Sequence, residues 1–513
     1  MNGMMTMGTH ATLGHLIDAL DALDALGALV VTPPDASARS ADISAITVDS
    51  RSVKGGELFV AVRGTAVDGH KFVRDAIERG AAAVIVETGE AGTPPAGVPF
   101  VVVEDSSKAL ALVAARFHGN PADTLRLCGV TGTNGKTSTT HLVRAILAAE
   151  GMKTGLIGTL GHGIGELVKD PHTTPDAVTL HAWFRRMLDE ECVGVVMEVS
   201  SHAVRQHRVW GLDFEVGMLT NVTHDHLDYH SSMEDYKAAK AEFCYSLGAA
   251  GRRKPAGTLV YWCDDANARE IGSRFAGRRV AVGTANDAEW RVHDVEVSLD
   301  GTRFSLELPD GERAAIAMKL RGAFVPANAA LAAAGAMAMG ASLASVRAGL
   351  ESVDRIPGRF EALGGGDRPV VVIDYAHTPD GFERVLGTCQ SLEPRRIITV
   401  FGCGGDRDKT KRPIMGGIAQ RVSARVYLTT DNPRTERVED IIADIRRGMQ
   451  DENVVVELDR ERAIRAAIRE SRPGELVALL GKGHEDYQII GAEKFPFSDR
   501  RVAEEELAQW SAR

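Results

Sequence analysis

The sequence predicts an α/β protein of three domains. Three observations carry that expectation. The chain has 513 residues, enough for several domains at a usual ~150 residues each. Short apolar runs alternate with helix-like runs along most of it, the pattern of parallel strands covered on both faces. A glycine-rich loop also joins an apolar run to a helical one at residues 129–140, Gly-Val-Thr-Gly-Thr-Asn-Gly-Lys-Thr-Ser-Thr-Thr. On these grounds the central sheet is expected to be of the P-loop, mononucleotide-binding type and the C-terminal sheet Rossmann-like.

Residues 1–118 form the expected first domain. Its short strands fall at 46–48, 58–62, 83–86 and 100–103, between Ala-rich helical stretches. A break at His118-Gly-Asn-Pro-Ala-Asp opens the second domain, 119–355. There an apolar run at 125–130 leads into the glycine loop, and a helix is expected over 138–149. Further strands are expected at 193–199, 216–222 and 259–262. Alternation across 290–320 around Asp300-Gly301 and Asp310-Gly311 predicts antiparallel hairpins. A helical stretch over 326–350 closes the domain. The third domain, 356–513, opens at Ile356-Pro-Gly-Arg and repeats the strand–helix alternation. Its strands are expected at 370–374, 397–401, 426–430, 454–458 and 476–480. Charged and glycine-rich segments follow several of these strand ends, where open α/β sheets bind ligands.

Composition excludes several classes. The net charge of −11 gives a nucleic-acid role no support. No run of 18 or more apolar residues exists, so no membrane span is expected. The six cysteines form no C-x-x-C pair, and several sit in apolar runs. Reduced thiols in a cytoplasmic protein are expected, and residues 1–10 lack the features of a signal peptide. A monomer is expected.

The glycine loop is the strongest local signal. Strand, glycine loop and helix N-terminus together cradle phosphate. Lys136 would reach the outer phosphates, and the Thr137 hydroxyl would ligate Mg²⁺. The usual spacing wants a glycine where Val130 stands, so the motif is a shortened variant built on Gly132, Gly135, Lys136 and Thr137. Thr133 and Asn134 complete the loop. Glu198 ends an apolar strand in Met197-Glu-Val-Ser-Ser-His202, the usual setting for a second Mg²⁺ ligand, although a capping glutamate reads the same. His224 and His226 would share a face of an extended segment. A zinc site lacks further ligands at recognisable spacing, and loop histidines or a histidine near Mg²⁺ or phosphate both remain open. Lys240 lies in a helical run with Lys237, and spacing does not separate the two.

In the last domain, Gly402-Cys-Gly-Gly-Asp-Arg-Asp-Lys409 and Asp431-Asn-Pro-Arg434 follow adjacent strands. Both contain turn dipeptides. The guanidinium groups of Arg407 and Arg434 would also suit bidentate capture of a carboxylate. Gly481-Lys-Gly-His-Glu485 would add a carboxylate able to hold an ammonium. Together these describe a site for an amino acid.

Taken in order, the motifs resemble the Mur ligase family of peptidoglycan synthesis over nearly the whole chain. The resemblance rests on Asp49-Ser-Arg51 with Leu58-Phe-Val-Ala61, on Gly132 to Thr137, and on Thr173-Thr-Pro175. It continues through Glu198 to His202, Asn221-Val-Thr-His-Asp-His-Leu-Asp228, Gly358-Arg-Phe-Glu361 and Asp374-Tyr-Ala-His377. Asp431-Asn-Pro-Arg434 narrows it to members that add meso-diaminopimelate, since lysine-adding relatives lack that arginine. One departure is Lys54-Gly-Gly-Glu57, where Pro-Gly-Asp is frequent in the family.

The resemblance implies that the first domain binds the UDP end of a precursor, the central one ATP and the last the incoming amino acid. The substrates would be UDP-MurNAc-L-Ala-D-Glu and meso-diaminopimelate, with ATP and Mg²⁺. Val48 and Ser50 would contact the UDP-sugar. Thr173, Thr174, Ser200, Gln206 and Arg208 would contact the muramoyl dipeptide. Asn328, Arg359, Asp374 and His377 would surround the nucleotide beside the loop residues. Arg407, Asp431, Asn432, Pro433, Arg434, Gly481 and Glu485 would hold diaminopimelate. Lys240 matches the family lysine that is carbamylated to N6-carboxylysine, and Thr137, Glu198, His226 and Lys240 would hold Mg²⁺. Lys136, Glu198, His226 and Lys240 would carry catalysis. The implied reaction is ATP-driven amide formation through an acyl phosphate.

Overall fold

The computed structural model describes residues 10–21, 30–32, 35–64, 67–90, 97–225, 229–450 and 452–510. Among the described residues three large sheets follow one another along the chain, accompanied by two two-stranded ones. The first has the spatial order Val30–Thr32, Phe100–Val103, Ala83–Glu87, Glu57–Val60, Ala45–Thr47, parallel except for its first strand. Helix Ser106–Phe117 buries Ala109, Leu110 and Val113 against it in one apolar cluster with Leu58 and Ile85. Asp105 caps that helix by accepting from Ser107 N and Lys108 N.

The central sheet has ten strands. Arg126–Thr131 lies in its middle, parallel to Gly194–Glu198 on one side and Val216–Leu219 on the other. The chain leaves this strand toward Thr154–Gly158 on the first side and later resumes on the second, through Thr258–Trp262 and Arg279–Gly283. The carboxyl end of Arg126–Thr131 is therefore the point where strand order reverses, the place where such sheets bind ligands. Helices Lys136–Ala149 and Val325–Ala338 cover one face, with Leu142, Ile146 and Ala329 in the core. Helices Ala177–Asp189 and Met233–Ser246 cover the other, through Leu180, Phe184 and Phe243. The expected hairpins are present as Trp290–Ser298, Gly301–Glu307 and Arg313–Met318, antiparallel, with a register shift between His293 and Glu296 in the first.

The third sheet runs Glu361–Gly364, Val370–Asp374, Leu476–Leu480, Ile397–Phe401, Arg425–Leu428, Val454–Val456, parallel except for its first strand. This is the expected Rossmann-like series.

Several expected elements are trimmed or divided. Strands expected to reach 222 and 430 end at Leu219 and Leu428, because the next residues turn their groups into loops. Thr220 donates its hydroxyl to Asn134 O, and Thr430 donates to Leu458 O. The stretch expected as one helix over 326–350 is two, Val325–Ala338 and Leu343–Ser352. Gly340 at φ +91° ends the first, and Ser342 caps the second by accepting from Ser345 N.

Candidate active site

The phosphate loop is held from behind by the neighbouring strand. Asn134 N donates to Asn221 Oδ1 at 3.0 Å, and Thr133 N donates to Asn221 O at 2.9 Å. Gly132 and Gly135 adopt φ of +140° and +89°, and a Cβ on either would collide with Thr220 Oγ1 or Asn328 Oδ1. Lys136 begins helix Lys136–Ala149 and folds back, donating at 2.8 Å to both Gly132 O and Thr133 O. Lys240 reaches the same Gly132 O at 2.9 Å and is only 1% exposed. Lys237, its rival in the sequence, instead pairs with Glu270 at the helix surface. Burial lowers the pKa of both Lys136 and Lys240, Lys240 well below the ordinary lysine range. The adjacent Lys136 charge pushes Lys240 further in that direction.

Glu198 ends its strand fully buried. Its carboxylate accepts from Thr159 N at 2.8 Å and Thr159 Oγ1 at 3.1 Å. Among the described residues its carboxylate has no cationic hydrogen-bond partner, and carboxylate and hydroxyl oxygens such as those of Glu198 and Thr137 are the donor types that suit a hard divalent cation. Thr137 Oγ1 accepts from Arg359 Nη2 at 2.9 Å. His226, expected among the metal ligands, lies outside the described residues. His224 is exposed.

The residues expected around the muramoyl dipeptide are linked to Glu198. Thr174 Oγ1 donates to Glu198 O at 2.8 Å and accepts from Ser200 N at 3.1 Å. Thr173 Oγ1 lies 3.1 Å from Thr159 Oγ1. Arg208 donates to Thr174 O at 2.6 Å and to Gln206 Oε1 at 2.6 and 3.0 Å. Val48 and Ser50 follow strand Ala45–Thr47 in the first sheet. Val48 is exposed, and Ser50 is buried with its hydroxyl on Asp75.

Asn134, Gly135, Asn328, Arg359, Asp374 and His377 line one cleft between the central and last sheets. Asp374 accepts from Phe360 N and Ala376 N, both at 2.7 Å, while burial raises its pKa. His377 Nδ1 pairs with Tyr375 O at 2.8 Å. Arg359 stacks over the Tyr375 ring, and its Nε is buried without a partner. Asp380 was not singled out by the sequence. It accepts from Asn134 Nδ2 at 2.6 Å and from Thr223 Oγ1 at 3.3 Å, tying the phosphate loop to helix Pro379–Ser391.

The second cluster lies at the carboxyl ends of the third sheet. Arg434 Nη1 donates to Gly405 O at 2.9 Å, and the exposed Arg407 donates to Asp406 O at 3.1 Å. A Cβ on Gly404 would sit 3.1 Å from Arg434 Nη1 and 3.7 Å from Arg407 Cγ, so the two arginines flank one glycine. Asp431, Asn432 and Pro433 are buried. Gly481, at φ +107°, brings its backbone against the Asp431 carboxylate. Glu485 stands in the same cluster. Its Oε2 already accepts from Lys482 Nζ at 3.0 Å and Asn432 Nδ2 at 2.8 Å. Arg460 is a further residue the sequence did not single out. It is buried against Asp499 and donates to Leu480 O at 3.1 Å and Thr430 O at 3.5 Å, fixing the strand ends that precede Gly481 and Asp431.

Family models match three stretches: "Mur ligase family, catalytic domain" at 42–118, "Mur ligase middle domain" at 130–336, and "Mur ligase, glutamate ligase domain" at 358–483. The chain belongs to the Mur ligase family. Among its Mur ligase relatives, the UDP-N-acetylmuramoyl-L-alanyl-D-glutamate–2,6-diaminopimelate ligase of Bacillus licheniformis is 40% identical over 93% of this chain and 97% of its own. A solved structure of an enzyme of that name superposes with a TM-score of 0.64 at 31% identity, covering 91% of this chain and 95% of the other. The Mur ligase MurF of Thermotoga maritima, solved in complex with ADP, shares the fold at a TM-score of 0.62 and 19% identity, over 90% of this chain and 98% of the other.

Proposed function

We propose that this Mur ligase uses ATP to join meso-diaminopimelate to the D-glutamate γ-carboxylate of UDP-MurNAc-L-Ala-D-Glu, in cytoplasmic peptidoglycan precursor synthesis. The observation that carries the amino-acid assignment is Arg434 beside Arg407 around Gly404, in a chain 40% identical to a diaminopimelate ligase. The work divides along the chain. Residues 1–118 hold the UDP-sugar through Val48 and Ser50, residues 119–355 hold the phosphates and muramoyl dipeptide, and residues 356–513 hold diaminopimelate. No helix among the described residues is long and apolar enough to cross a membrane. The enzyme acts as a monomer and binds no nucleic acid.

ATP enters the cleft between Asn134–Thr137 and Arg359–His377. The Lys136 ammonium exchanges the carbonyls of Gly132 and Thr133 for phosphate oxygens, and Arg359 turns its unpartnered Nε to the nucleotide. Thr137, Glu198, His226 and Lys240, the last as its carbamate, would hold Mg²⁺, which would supply positive charge against the phosphates. Lys240 suits carbamylation. Its depressed pKa supplies the neutral amine, whose lone pair attacks the carbon of CO₂ and which releases a proton to solvent. The resulting carbamate places an anion near Lys136 where the buried neutral amine stood beside Gly132 O.

The dipeptide γ-carboxylate, held by Thr173, Thr174, Ser200, Gln206 and Arg208, attacks the γ-phosphorus, and ADP leaves. The diaminopimelate amine then attacks the acyl carbon, phosphate leaves and one proton is lost. An anion must approach a polyanion, so Lys136 and Arg359 contribute by offsetting charge at fixed positions. No nucleophilic side chain is required.

Phosphate release from ATP tests this reading. Release that needs UDP-MurNAc-dipeptide, meso-diaminopimelate and Mg²⁺ together, and stops with excess EDTA, is expected. Release under no combination would overturn it.

A further inference from the structure

The side chain at the centre of the amino-acid cluster is a buried cation to which nothing above assigns a role. Lys482 is 0% exposed. Its Nζ lies 3.0 Å from Glu485 Oε2, 3.1 Å from Asn432 Oδ1 and 3.9 Å from Asp431 Oδ1. Asn432 closes the network, donating from Nδ2 to Glu485 at 2.8 Å and accepting at Oδ1 from Ile489 N at 3.0 Å. One ammonium thus touches three residues assigned to diaminopimelate and fixes the amide orientation of Asn432. A Lys482 that only filled space would not need a polar partner on each side.

Charge gives this arrangement a consequence. In the cluster, Asp431 and Glu485 are anionic, the buried Lys482 and half-buried Arg434 are cationic, and the buried Arg460 is balanced by its own partner Asp499. Arg407 is exposed and screened by water. With Lys482 present the cluster is balanced and accepts an ammonium only together with a carboxylate for Arg434. Without it, two carboxylates face one guanidinium, and a lone ammonium becomes a better guest.

We propose that Lys482 is a positioning and specificity-determining residue. It holds Glu485 and Asn432 in the geometry that receives the distal zwitterion of diaminopimelate, and it offsets the anionic charge that would otherwise admit lysine. The inference rests on the ligase reading above and adds to it a residue that discriminates without touching substrate.

The test is steady-state kinetics on the full chain carrying Lys482→Met, Glu485→Gln, both, or Arg434→Ala. Lys482→Met is expected to raise the KM for meso-diaminopimelate about tenfold or more, consistent with loss of charged hydrogen bonds. The KM values for ATP and the UDP-linked dipeptide should stay within about twofold, and the preference for meso-diaminopimelate over L-lysine should fall about tenfold. The double variant should be no worse than Glu485→Gln alone, the non-additivity expected of residues in one network. An unchanged KM and preference, or an equal rise in all three KM values, would overturn the proposal. If Lys482→Met does not fold, Lys482→Gln removes the charge while keeping a donor and is read the same way. Arg434→Ala separates the two levels. If it too leaves diaminopimelate unaffected, the amino-acid site has been misassigned. If it alone acts, only the role of Lys482 fails.

Discussion

The phosphate loop and the amino-acid cluster both present charge at the carboxyl ends of parallel strands, but they are assembled differently. The phosphate loop is six consecutive residues, 132–137, whose lysine rests on backbone carbonyls three and four positions away. The amino-acid cluster draws on segments after three strands, 402–409, 431–434 and 481–485, and is fixed by buried side-chain ions. The first is a local device whose neighbours tune it. The second exists only after the whole domain has folded. The two should therefore fail differently when cut: loss of turnover in the first, loss of amino-acid selection in the second.

The sharpest break should come at Lys240. Lys240→Ala removes the group that couples helix Met233–Ser246 to Gly132 O, and kcat should fall about 10²–10³-fold. If a carbamate acts there, added short carboxylates should restore part of the rate. Full activity in the unsupplemented variant would show that none is required. Next in size is Arg434→Ala, which should raise the KM for meso-diaminopimelate about 10- to 100-fold through loss of charged hydrogen bonds, with the KM for ATP unchanged. Equal effects on both substrates would erase the distinction between the two regions. The smallest effect tests their connection. Asp380→Ala removes the hydrogen bonds from Asn134 and Thr223 and should raise the KM for ATP about 3- to 10-fold. A larger effect on diaminopimelate than on ATP would mean that Asp380 serves the other cluster.

Much of this was readable in the residues, for physical reasons that also mark where reading stops. Strands Phe100–Val103, Val370–Asp374, Ile397–Phe401 and Leu476–Leu480 fall where the sequence predicts them, because buried apolar runs end against turn or charged residues. The helix expected over 326–350 was too long because alanine favours helix on both sides of Gly340, and only the left-handed turn divides it. The phosphate loop is visible because its chemistry is consecutive. Lys240 and Lys237 are not separable by spacing, since burial on Gly132 O and pairing with Glu270 depend on packing across 108 and 33 residues. Lys482 stands inside the Gly481–Glu485 segment, yet a lysine between glycines gives no sign that it will be dry and clamped between Glu485 and Asn432. Asp380 and Arg460 were missed for the same reason: their partners lie on other elements.

The central claim is that this Mur ligase adds diaminopimelate rather than another diamino acid, through a site built around Arg434. The direct measurement is a competition. The wild-type protein is given ATP, Mg²⁺, UDP-MurNAc-L-Ala-D-Glu and equal concentrations of meso-diaminopimelate and L-lysine, and the mass of the UDP-linked product is read. A product carrying diaminopimelate alone is predicted. A lysine-containing product in comparable amount would contradict the account.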